Sequence, residues 1–165
     1  MNLNQLKLNK KFQALLYQNT LVCTKDNFDV KQDELNFLGN NEKGIVFIVS
    51  DPNSKFLDDS QWKFFNDLLN ACGLTVADIA LINFYHTAVS YDKIKQQLSA
   101  SILLAFGVNS KQLDLSFAIP AFQIQNYNGQ TIMLCPSLAE IQTNKELKKQ
   151  LWLCLQKIFN IQKQK

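Results

Sequence analysis

Three short stretches of this chain place polar or reactive side chains where buried strands end. "GIVFIVSDPN" runs from an apolar, β-branched segment into Ser50, Asp51, Pro52 and Asn53. "DIALINFYH" carries Asn83 at the end of a second apolar run, with His86, the chain's single histidine, just after it. "TIMLCPSLAEI" runs through Cys135, Pro136 and Ser137 into a helical pattern. Each residue type has a chemistry and a plainer alternative. Asp51 either orients or activates a water, or starts a turn as Asp before Pro does. His86 is an acid or base in the neutral range, or a surface residue after a strand. Cys135 is a nucleophile if the helix N-terminus after it lowers its pKa, or a small buried side chain at a strand end.

Positioning these residues requires a framework, and the hydrophobic pattern supplies one. "GIVFIVS", "DIALINF", "SILLAFG" and "TIMLC" are short continuous apolar runs, the pattern of strands buried on both faces. Between them lie amphipathic helical stretches. One follows the N-cap candidates Asp58, Asp59 and Ser60, buries Phe65, Leu68, Leu69 and Cys72, and stops at Gly73. A second follows Ser90 in "SYDKIKQQL", and "VNSKQL" starts a further helix or turn. "AFQIQNY" and "TIMLC" flank the turn signal "YNGQ", the mark of a hairpin. From "PSLAEI" to "LWLCLQKIF" the pattern is helical, with Leu147, Leu151, Cys154, Leu155 and Ile158 on one side. Alternating strands and helices predict an α/β fold: a three-layer αβα sandwich around a mainly parallel sheet of about four to five strands. Ligands in such sheets sit at the carboxyl ends of the strands, where the three stretches above end.

The 165 residues suit a single domain, with an N-terminal helix over residues 3–18, an irregular stretch to about residue 43, and an αβα core over residues 44–160. Apolar residues make up 47% and include 12 Phe, enough for a full core. Apolar runs fall far short of the roughly 18 residues that span a bilayer, and "MNLNQLKLNKK" has no continuous apolar segment of the signal-peptide kind. The expected location is therefore the cytoplasm, with no membrane partner. All 17 basic residues are Lys, and the net charge is only +3. Without Arg there is no planar fork for bidentate contact with phosphate or guanine, so nucleic-acid binding is weak at most. Cys23, Cys72, Cys135 and Cys154 have no C-x-x-C spacing. No metal and no cofactor is expected, and no Gly-rich phosphate loop or G-x-S-x-G elbow occurs.

The order "GIVFIVSDPN", "FFNDLLNACGLTVADIALINF", "SILLAFGVNSKQL", "IMLCPS" resembles the uracil-DNA glycosylase superfamily over residues 44–160. The resemblance implies that Ser50-Asp51-Pro52-Asn53 stands at the first active-site loop, Asn83 at the base-reading Asn, and Cys135-Pro136-Ser137 at a His-Pro-Ser motif. Several parts of an active enzyme are missing. Cys135 replaces the His that stabilises charge on the leaving uracil, and a thiol is a weak donor by comparison. No aromatic residue stands clearly after Pro52 to stack on a flipped base. "LAEIQTN" replaces the basic residues that hold the opened duplex. The C-terminal "CPSLAEIQTNKELKKQLWLCL" is similar instead to the psi subunits of bacterial DNA polymerase III, through Pro136, Ser137, Leu138, Ile141, Asn144, Leu151 and Trp152, and "FQALLYQNTLV" resembles their start. Psi subunits link the clamp loader to the chi subunit. That resemblance implies a non-catalytic adaptor in DNA replication, with a replication or clamp-loader protein as partner and no working catalytic residue. The alternative it leaves is a divergent glycosylase in DNA repair, working through Asp51 and Asn83.

Overall fold

Four apolar runs become the four parallel strands of one sheet. In the computed structural model, which describes residues 34–161, these are β1 (Ile45–Val49), β2 (Ile79–Asn83), β3 (Ile102–Phe106) and β5 (Gln130–Cys135). β4 (Ile124–Tyr127) closes one edge. The spatial order is β2-β1-β3-β5-β4, with only β4 antiparallel. The register aligns the carboxyl ends, since Val49 pairs with Asn83 and Phe106 with Cys135. Asn128 and Gly129 both adopt positive φ, 50° and 78°, which gives the two-residue turn that joins β4 to β5.

Alternation along each strand divides the core into two layers. Val46, Ile48, Ala80, Ile82, Leu103, Ala105, Ile132 and Leu134 face one side, where Tyr91, Ile94 and Leu98 of α2 (Tyr91–Leu98) cover them. Phe47, Val49, Leu81, Leu104, Phe106, Met133 and Cys135 face the other. There they meet Phe65 and Leu69 of α1 (Asp59–Ala71), Leu138 and Ile141 of α3 (Leu138–Thr143), and Leu151 and Leu155 of α4 (Lys145–Ile158). The result is the three-layer αβα sandwich with a mainly parallel, five-stranded sheet.

Polar side chains set the helix ends. Asp58 Oδ1 accepts the Gln61 N–H at 2.7 Å and Ser90 Oγ the Lys93 N–H at 3.4 Å. The C-terminal helical stretch differs from the single run that its periodicity predicts. Asn144 is extended (φ −115°, ψ 116°), ends α3 and begins α4. Its Oδ1 accepts the N–H groups of Glu146 (2.9 Å) and Leu147 (3.4 Å), a capping bond that outcompetes helix continuation. "VNSKQL" forms turns rather than a helix. Residues 34–43, expected to be irregular, lie along the β2 edge. There Leu38 and Leu81 exchange backbone hydrogen bonds of 2.9 and 2.8 Å. Gly39 has φ 106°, and a Cβ there would collide with the carbonyl oxygens of Val76 and Ile79. Close by, the Thr75 N–H and then the Lys43 ammonium (3.1 Å) hold the Asp78 carboxyl below the usual carboxylate range. The helix expected over residues 3–18 lies outside the described residues.

Leu151, on the buried face of α4, is 1% exposed. Leu151→Ala is expected to cost about 2–5 kcal/mol in urea unfolding, and Leu151→Asp to abolish the cooperative transition. A cost below about 0.5 kcal/mol for Leu151→Ala, the range of ordinary surface substitutions, contradicts this placement.

Candidate functional site

The loop after β1 is held chiefly by one side chain. Asn83, 2% exposed at the end of β2, donates from Nδ2 to the carbonyls of Asp51 (2.8 Å), Ser54 (3.0 Å) and Lys55 (3.3 Å). Its Oδ1 accepts the N–H groups of Asp51 (3.0 Å) and Tyr85 (3.2 Å). A primary amide has two hydrogens and two lone pairs. Both lone pairs are taken, and the two hydrogens serve three carbonyls. Asn83 therefore has no free edge for a ligand in this arrangement.

Asp51 is 3% exposed. Its Oδ1 accepts the Asn53 N–H at 2.8 Å, the local turn that Asp favours before Pro52. Its Oδ2 is buried and meets no hydrogen-bond donor of the protein. His86 is exposed, and its Nε2 lies 2.9 Å from the Ser54 carbonyl oxygen. A carbonyl only accepts, so Nε2 carries the hydrogen and donates it. His86 is thus a second anchor of the same loop. Its ring stands edge-on to Tyr85 at 5.3 Å, and Tyr85 is 61% exposed.

Cys135, Pro136 and Ser137 stand elsewhere on the sheet. β5 is three strands from β2, about 14 Å at ordinary strand spacing. The sequence-predicted site residues thus form two groups: Ser50 to Asn53 with Asn83 and His86, and Cys135 to Ser137. Cys135 is 5% exposed in the layer beneath α3 and α4. Burial, and secondarily Cys154, pushes its thiol far above the usual range. The nucleophilic form is the thiolate, and the burial of Cys135 disfavours it. Ser137 caps α3, its Oγ accepting the Glu140 N–H at 3.3 Å. Gly107, after β3, has φ 72° and donates its N–H to the Cys135 carbonyl at 2.9 Å. A Cβ on Gly107 would lie 3.2 Å from Ser137 Cβ, so the turn packs closely on the glycine.

An open cleft of about 380 Å³ lies at this second end, lined by residues that include Gly107, Val108, Ile119, Leu134, Pro136 and Glu140. Cys135 also borders it, whereas Ser50 to Asn53 and Asn83 do not. The sequence reading missed Val108, Ile119 and Glu140; the ligand-end rule for parallel sheets, applied to the loop after "SILLAFG", is the signal that points there. Among the described residues, no group of three or more His, Cys, Asp or Glu side chains is placed to hold a metal ion. Among the described residues, no helix is long and apolar enough to cross a membrane. No protein-family model matches the chain, and a search of curated proteins finds no match.

Removing the Asn83 amide strands several backbone groups of the loop. Asn83→Ala is expected to lower unfolding free energy by about 2–3 kcal/mol, the cost of leaving buried polar groups unpaired. Urea denaturation measures it, and a loss below about 0.5 kcal/mol contradicts the anchoring role.

Proposed function

We propose that this chain is a non-catalytic protein–protein adaptor with a uracil-DNA-glycosylase-like fold, similar to the psi subunit of bacterial DNA polymerase III. It acts in the cytoplasm as a clamp-loader accessory in DNA replication. The observation that carries this reading is the saturation of Asn83. An Asn that reads a base must present its amide edge to that base; this one is spent on the protein's own loop. Cys135 supports the same reading, because a buried, protonated thiol supplies little of the charge stabilisation that a glycosylase applies to its leaving base. The partner is a replication or clamp-loader protein, and any nucleic-acid contact is a weak one through Lys.

One observation favours a second reading, a divergent uracil-DNA glycosylase acting in repair. Asp51 Oδ2 is a buried acceptor without a protein donor, next to Asn83. A buried polar atom of this kind calls for an explanation, and a bound water awaiting activation is one.

The two readings separate in a uracil-release assay on single- and double-stranded uracil-containing DNA, with the full chain at concentrations matching substrate. The adaptor reading predicts no release, and retention of a purified bacterial clamp-loader complex on the immobilised chain, unchanged by Cys135→Ser. Release by the wild type that is lost in both Asp51→Asn and Asn83→Ala establishes the glycosylase. A chain that neither releases uracil nor retains the complex contradicts both.

A further inference from the structure

The cleft at the ends of β3 and β5 has two walls of different chemistry over an apolar floor. The floor is Val108, Ile119 and Leu134, all buried in the core layer under α2. On the β3 side, Asn109 and Gln112 cap each other. Gln112 Oε1 accepts the Asn109 N–H at 2.9 Å, and Asn109 Oδ1 accepts the Gln112 N–H at 3.0 Å. Both amide oxygens are therefore spent on backbone. The opposite wall is Pro136, which precedes α3, and Glu140 in its first turn. Glu140 is the only charged side chain in the lining, and its carboxylate makes no ion pair among the described residues.

We propose that this cleft binds a small organic cation: a primary ammonium held at Glu140, carried on an apolar body that packs on Val108, Ile119 and Leu134. The volume of about 380 Å³ lies within the range of small-molecule sites. The position is where parallel sheets bind ligands, outside the carboxyl ends of neighbouring strands. The floor is almost closed to solvent already, so an apolar body gains mainly van der Waals contact with it rather than water release. The solvent-exposed carboxylate of Glu140, the one charge in the lining, favours a cation modestly over an anion of the same shape. This site is separate from the Asn83 loop and stands whether or not the adaptor reading holds.

Three probes of one shape test it: cyclohexylammonium, cyclohexanol and cyclohexanecarboxylate, titrated into the full ¹⁵N-labelled chain. Cyclohexylammonium is expected to bind most tightly, with the largest amide shifts at Gly107, Val108, Leu134 and Cys135. Glu140→Gln is expected to weaken it roughly three- to fivefold, the size of one partly exposed ion pair, and to leave cyclohexanol unchanged. Equal binding of cyclohexylammonium and cyclohexanol in the wild type overturns the cation and leaves a merely apolar groove. Preference for the carboxylate overturns it through the Asn109 and Gln112 amide nitrogens, which suit an acceptor. Shifts outside the cleft, or binding of none of the three, overturn the site itself.

Discussion

One buried amide governs the first half of this sheet's carboxyl end. Asn83 sits level with Val49 on the neighbouring strand, and its side chain reaches across to bind the chain that leaves β1. A buried polar group without partners is costly, and the backbone of the loop from β1 to α1 has no ladder to satisfy it. Asn83 meets both needs at once: the loop carbonyls satisfy the amide, and the amide satisfies the loop. His86 adds a second donor to Ser54 from the solvent side. The path from β1 to Asp58, the N-cap of α1, is therefore held by Asn83 at the end of β2 and His86 just beyond it.

This arrangement divides the sheet end into two regions with different capacities. Over β1 and β2 the Asn83 amide and one oxygen of Asp51 are consumed by the protein's own loop, while the second oxygen of Asp51 is buried without a protein donor. Over β3 and β5 the thiol of Cys135 is buried and protonated, and the space beside it is an apolar cleft with one carboxylate. Among the described residues, neither region gathers a base, a nucleophile and a charge-stabilising donor around one point.

Much of the fold was legible because local chemistry and tertiary structure agree. Unbroken apolar runs became strands buried on both faces, and Asp58, Ser90 and Ser137 cap helices through bonds spanning only three residues. Asn144 was harder to read, since the apolar stripe continues past it while its side chain breaks the helix. Long-range pairings were not legible at all. The bonds from Asn83 cross 28 to 32 residues of sequence, and the Leu38–Leu81 bridge depends on a glycine packed under two carbonyls. Sequence position identified Asn83 and Cys135 as residues of interest; only their surroundings distinguish an anchor and a core thiol from a reader and a catalyst.

Hydrogen–deuterium exchange at the Asn83 side-chain amide, followed by NMR, tests the central claim most directly. The account predicts that both Nδ2 hydrogens are protected to the degree of the buried β1 backbone amides, because both are engaged by loop carbonyls. Exchange at the rate of a solvent-exposed Asn would leave that amide free to meet a ligand and would contradict the account.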